Sequence, residues 1–267
     1  MSHQILLVII FTLVIHIVST LSYSVRIVGI RSRKIAISFA LFNIMVLISR
    51  TSNSFQAPLL AKWIEERINF TTAPGTFEFR MILLATSIAT IIGAFMIPTF
   101  QRILTRAVNN FSIYKSIPRL FLLGFTKYGL SQFRAEVKIP DKKNFKVPSR
   151  KEEKFPWKIL VYNVIAVAIL TVGVLSSLYA GFLAPELRVT ASTLSSIVNG
   201  FATIMMVIFI DPHLSGLTDD VMEGKYSEVK FRKIIRAMVF SRLLGTFLAQ
   251  LLFVPFAQWI VFIARII

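Results

Sequence analysis

The 267-residue chain contains no cysteine. Disulfide bridges, iron–sulfur clusters and thiolate zinc sites are therefore excluded. Charge is scarce as well. Only 16% of the residues are charged, against about 25% in an ordinary soluble domain. Acidic residues are scarcer still, 13 against 30 Lys and Arg, which leaves a net charge of +17. The chemical motifs of common enzymes are missing. There is no H-E-x-x-H zinc helix, no glycine-rich phosphate loop and no nucleophile elbow. Neither a metal nor an organic cofactor is expected. No nucleic-acid recognition motif accompanies the positive charge, so nucleic acid is not the expected partner. The basic residues sit beside apolar blocks instead, an arrangement that suits anionic phospholipid headgroups. A cleaved signal peptide is also not expected. Only Met1, Ser2, His3 and Gln4 precede the first apolar block, no A-x-A site follows it, and its positive charges lie on the far side.

What the sequence has in abundance is apolar residues, 55% of the total, with 24 Phe among them. They fall in blocks of about 20, the length that crosses a hydrocarbon core of roughly 30 Å. In lipid the backbone polar groups must be satisfied within each segment, which selects helices. The fold class expected is all-α: a polytopic integral membrane protein with six transmembrane helices, forming a single domain over 1–267. The spans are placed at about 5–25, 35–55, 80–100, 158–183, 190–210 and 237–263.

The loops alternate in charge. Residues 26–34 hold four basic and no acidic residues, 56–80 three of each, 101–158 fourteen basic and four acidic, 184–189 one of each, and 211–236 five of each. Basic loops stay on the cytoplasmic side. Both termini are therefore expected outside an energy-conserving or plasma membrane. Segment 101–157 reads as cytoplasmic. Its first part, 101–134, alternates apolar and basic residues, as one or two amphipathic interfacial helices would. The stretch 138–156 reads as a solvated linker between two halves of three spans each. Three spans per half permits an inverted 3+3 arrangement, as in many transporters. A homodimer would equally supply a two-fold cavity.

Polar groups inside spans are costly and should face protein or water. In span one His16, Ser19, Thr20 and Tyr23 recur at helical spacing, and Arg26 continues that face. In span two Asn43, Arg50 and Ser54 share a face, with Asn53 and Gln56 near its outer end. Span five carries Ser192, Ser195, Ser196, Asn199 and Thr203, and span six Arg242, Thr246 and Gln250. Four such stripes can line one hydrophilic cleft. The competing reading is helix packing, since small and hydroxylated residues also line helix contacts. Arg242 has a second alternative, snorkelling to the cytoplasmic surface.

The segment 210–225, IDPHLSGLTDDVMEGK, concentrates Asp211, His213, Asp219, Asp220 and Glu223. Hard cations favour oxygen ligands of this kind. Two structural readings compete: Asp219 and Asp220 charging a helix N-terminus capped by Thr218, or pairing with Lys230, Arg232 and Lys233.

The blocks SYSVRIVGIRSRKIAISFALFN, ISRTSNSFQAP, TLSSIVNGFATI, IDPHLSGLTDDVMEGK and SRLLGTFLAQLLFVPFAQ together resemble the Amj family, bacterial lipid II flippases able to substitute for MurJ. The resemblance extends over nearly the whole chain. It implies a non-enzymatic transporter of the bacterial cell membrane, serving peptidoglycan biosynthesis, the cell wall and cell shape. Its substrate would be lipid II, an undecaprenyl pyrophosphate bearing a disaccharide-pentapeptide. Within the matching blocks, burial and charge single out Arg26, Arg50, Arg242, Asn43 and Asn199 for substrate binding. His16, Asp211, Asp219, Asp220 and Glu223 are singled out for gating or coupling. The alternatives are a membrane enzyme acting on polyprenyl phosphates through Asp219, Asp220 and Glu223, and a non-transporting envelope-assembly scaffold.

Overall fold

Each apolar block becomes a helix, and the helices run on past the blocks into their polar flanks. The computed structural model describes residues 3–69, 76–116, 126, 131, 134–138 and 155–267. The helices are α1 (His3–Ser32), α2 (Ile35–Asn69), α3 (Thr76–Tyr114), α4 (Trp157–Leu183), α5 (Arg188–Met205), α6 (Asp211–Met222) and α7 (Glu228–Ile266). A 3-10 turn, Pro185–Leu187, leads into α5, and a π-helical turn, Met206–Ile210, joins α5 to α6 without a break. By length and composition six helical rods are able to cross a membrane, the fifth running from Pro185 to Met222. No strand occurs among the described residues. Residues 101–114, expected as the start of an interfacial segment, prolong α3 instead. Most of the remainder of 101–157 lies outside the described residues.

Local chemistry explains the tight corner between α1 and α2. Arg33 adopts φ 54°, and the amides of Arg33 and Lys34 donate to the carbonyls of Ile30 and Gly29. These bonds satisfy carbonyls that the helix end would leave orphaned. A Cβ on Gly29 would lie 2.9 Å from the Ile35 backbone, so only glycine lets α2 start this close to α1.

Small residues set the packing of the second half. Ala237, Ser241, Gly245 and Ala249 repeat at four-residue spacing along the buried face of α7. At Gly245 a Cβ would meet the Val164 carbonyl oxygen of α4 at 2.8 Å. Such a stripe lets two helices approach closely where lipid offers no hydrophobic driving force. In each half the first helix is the hub: α1 packs along α2 and α3, and α4 packs along α5 and α7.

The apolar core is distributed unevenly. At the end that carries both termini one cluster draws on all six rods, including Val8, Leu60, Phe79, Tyr179, Leu194 and Phe253. Phe79 lies at its centre, with ring contacts to Trp63, Tyr179 and Phe253. At the opposite end there are two separate clusters. One joins α1 to α2 and α3 through Leu21, Phe42 and Leu104. The other joins α1 to α4, α6 and α7 through Ile27, Leu160, Leu214 and Phe231. Between those two clusters lies a cleft.

Candidate functional site: a cationic cleft inside the helix bundle

The cleft has a volume of about 800 Å³. Its wall on α1 is the face expected from the spacing, with His16, Ser19, Tyr23 and Arg26 all lining it. Thr20 departs from that face. It packs on Gly93 of α3, and its hydroxyl donates to the His16 carbonyl. On α2 the polar lining residues are Ser49, Arg50, Asn53, Ser54 and Gln56. That helix continues through Pro58 to Asn69, so Arg50 stands in its middle and not at its end. Asn43 is exposed and does not line the cleft. From α5 only Asn199 of the polar stripe reaches the cleft, while Ser196 and Thr203 are exposed away from it. From α7 Arg242 contributes. Thr246 and Gln250 serve helix packing: Ser87 of α3 donates to the Thr246 hydroxyl at 3.0 Å, and Gln250 donates to the Arg80 carbonyl.

Arg242 is only 6% exposed. It does not snorkel; its Nη2 lies 3.1 Å from His16 Nδ1. A guanidinium has donors and no acceptor, so Nδ1 must present its lone pair and the histidine is neutral in this contact. The Nε of Arg242 has no hydrogen-bond partner among the described residues. Asn199 Oδ1 is likewise buried without a partner, seated where a Cβ on Gly173 would collide with it. Arg50 is exposed and has no ion-pair partner among the described residues. Unused donors and acceptors of this kind mark a wall made to meet a polar group.

Arg26 closes the end of the cleft opposite the termini. It donates to Ser215 Oγ at 3.0 Å and pairs with Asp211 at 3.4 Å, and its guanidinium stacks 5.2 Å from the Phe39 ring centroid. Asp211, singled out in the sequence for gating or coupling, is thus the acid that meets Arg26. Asp219 lies within electrostatic reach of Arg26 but does not line the cleft. Asp220 and Glu223 stand at the C-terminal end of α6, where Asp220 offers its carbonyl to Lys225 and Tyr226 and Glu223 pairs with Lys225. The helix starts at Asp211, so Asp219 and Asp220 do not charge its N-terminus. Thr218 is an interior residue bonded to the Leu214 carbonyl, and it caps nothing. Among the described residues no group of three or more acidic or histidine side chains is placed to hold a metal ion.

One participant was not singled out from the sequence. Asn163 is fully buried in α4, accepts from the Tyr23 hydroxyl at 2.8 Å, and donates to Ser241 Oγ at 2.7 Å and the Met238 carbonyl at 3.1 Å. It ties α1, α4 and α7 together beside the cleft. Its signal was a lone amide inside a long apolar run. Thr12 was also missed; it accepts from Gln56 at 2.8 Å and links α1 to α2.

Among the described lining residues there are three arginines and one aspartate. The cleft also has a side opening. α2 and α5 do not pack along each other, and Arg50, Asn53 and Ser54 are exposed in the gap. At the end that carries the termini the gap is bridged by an ion pair, Arg188 to Glu65 at 3.8 Å.

Comparison with known proteins places this architecture. No solved structure matches the chain. The lipid II flippase Amj of Bacillus subtilis (strain 168) is 36% identical to it over 266 residues, spanning 98% of this chain and 97% of that protein. The family model Amj, described as alternate to MurJ, matches residues 11–264. The chain belongs to the Amj family.

Proposed function

We propose that this chain is a flippase that moves lipid II from the cytoplasmic to the outer leaflet of a bacterial cell membrane. The observation that carries this reading is the cationic cleft with its lateral gap between α2 and α5. A pyrophosphate dianion crossing hydrocarbon needs compensating charge, because each uncompensated charge there is costly. Three arginines against one aspartate leave a surplus of two positive charges, which matches that dianion. Arginine also suits phosphate oxygens, which it can engage with two parallel hydrogen bonds. The polyprenyl tail stays in lipid and passes through the gap. No phosphate bond is broken.

The alternation of basic loops supports an orientation with both termini outside the cell. On that orientation the divided end of the bundle faces the cytoplasm, and the Arg26–Asp211 pair stands at the inner end of the cleft. Arg26 collects the pyrophosphate, displacing Asp211. Arg242 and then Arg50 hold it on its way outward, with Asn199 offering its unpartnered oxygen to a sugar or peptide donor. When pyrophosphate takes Arg242, His16 Nδ1 loses its donor, so His16 reports occupancy of the cleft and serves gating. Asp219 already acts on Arg26 through space, while Asp220 and Glu223 act from the far end of α6. Hub-first packing in both halves supports the inverted 3+3 arrangement. A homodimer is not required, since one chain builds the cleft. Anionic phospholipids accompany the basic loops at the inner leaflet.

The deciding experiment measures lipid II at the outer leaflet of cells depleted of their own flippase. Expression of this protein restores it. Arg50→Ala and Arg242→Ala, at equal protein level, lower it by at least about tenfold, the factor expected from one lost charge-assisted contact. Failure of the wild type to restore it overturns the reading. Full activity of both variants overturns the residue roles alone.

A further inference from the structure

A second cavity lies on the other side of α1, and the transport reading does not use it. α3 and α7 meet through Ser87 with Thr246 and Arg80 with Gln250. Beyond that contact a groove of about 910 Å³ opens between them. Its half nearer the contact is apolar, lined by Ile91, Ala94, Phe95, Pro98, Phe240 and Leu243. Phe95 and Phe240 are exposed there. Among the described residues the other half carries six basic residues, Arg31, Arg102, Arg106, Lys138, Arg232 and Arg236, against a single lining acid, Glu136.

A short strap lies against the α3 side of the basic half. Residues 134–138 are fastened to α3 by two hydrogen bonds between Thr99 and the Lys138 backbone, at 3.0 and 3.2 Å. The strap lowers the Glu136 carboxylate onto Arg106 at 2.7 Å and Arg102 at 3.7 Å. Across the groove Arg31 pairs with Glu228 at 2.9 Å, and Arg232 interacts electrostatically with both Arg31 and Arg236. Among the described residues, basic side chains outnumber the acids Glu136 and Glu228 at one end of an apolar slot. That layout is complementary to an amphiphile with an anionic head.

We propose that the groove between α3 and α7 is a binding site for an anionic glycerophospholipid. Its phosphate sits between Arg232, Arg236 and Arg102, and one acyl chain lies along Phe95, Pro98, Phe240 and Leu243. Glu136 competes with the phosphate for the α3 arginines, so the strap sets how tightly the lipid is held. The site is independent of whether the cleft transports.

The test is lipid retention by the purified full chain. Protein in detergent is offered phosphatidylglycerol, phosphatidylcholine and undecaprenyl phosphate at equal concentration, and the retained lipid is counted by native mass spectrometry. Wild type keeps phosphatidylglycerol in preference to the other two. Arg232→Gln with Arg236→Gln lowers that retention by roughly an order of magnitude, as expected for two lost headgroup contacts. Ala94→Trp keeps every charge but fills the slot, and it lowers retention as well. Glu136→Gln raises it, and Lys62→Gln, a remote charge control, leaves it unchanged. Equal retention of phosphatidylglycerol and phosphatidylcholine by the wild type overturns the proposal. So does preference for undecaprenyl phosphate, which would make the groove a substrate site. Undiminished retention by both the arginine pair variant and Ala94→Trp overturns it too.

Discussion

The two ends of the bundle are made from the same helices and packed in opposite ways. At the end with the termini all six rods share one core, centred on Phe79 and its ring partners. At the other end the core is split in two, with α1 contributing to both parts. The polar cleft opens into that split, and the groove between α3 and α7 opens toward the same end. Packing strength and polarity therefore vary along the membrane normal more than from helix to helix. A transporter that closes at one end while open at the other needs this gradient, and needs the split end to be the weaker of the two.

The strongest blow to the comparison is Phe79→Ala. Emptying the centre of the undivided core should destabilise by about 3–5 kcal/mol, read as a marked loss of melting temperature in detergent. A loss below about 1 kcal/mol would mean that this end is not the bundle's anchor. Asn163→Leu comes next. It leaves the Tyr23 hydroxyl without its acceptor inside the protein, and a cost of about 1–3 kcal/mol is expected. A neutral or stabilising result would mean that the polar tie between α1, α4 and α7 is replaceable by packing. The chain's lack of cysteine then allows a direct reading of access. In an otherwise thiol-free protein Ser49→Cys, in the cleft wall, should react with a water-soluble maleimide, and Ala180→Cys, in the undivided core, should react only after denaturation. Equal rates would abolish the distinction between the ends. The smallest effect is Glu65→Gln. The Glu65–Arg188 pair is half exposed, and its loss should change stability by less than about 1 kcal/mol. Its value is in sharpening the comparison, because the ion pair spans the only gap in the closed end between α2 and α5 that the described residues bridge by charge.

Much of the fold was legible because lipid imposes length and helicity on apolar blocks. The six rods follow from that alone. Helix ends were harder to read. α3 runs to Tyr114 through basic residues, because hydropathy marks where lipid ends and not where backbone hydrogen bonding ends. In the cleft, spacing was sufficient for α1, whose His16, Ser19, Tyr23 and Arg26 share one wall. It failed for α5, where serines and threonines bond to carbonyls one turn back and need no cleft, as Ser192, Ser195 and Thr203 do. Asn43 misled for a related reason: an amide in a span was taken to face protein, yet it lies exposed. Arg242 was ambiguous in sequence because nothing there shows that His16, 226 residues away, is its neighbour.

The π-helical turn at Met206–Ile210 has a consequence for the wall of the cleft. In an unbroken α-helix Asn199 and Asp211, twelve positions apart at about 100° per residue, would point about 120° away from each other. A π turn accommodates one additional residue without advancing the helical phase, which reduces that difference to about 20°. Asn199 and Asp211 accordingly both line the cleft. The turn thus acts as a phase corrector within a single rod. It aligns an amide on the serine-bearing stretch with the carboxylate that holds Arg26, and deleting one residue from 206–210 would regularise the turn to α-helix and keep that carboxylate within about 20° of Asn199.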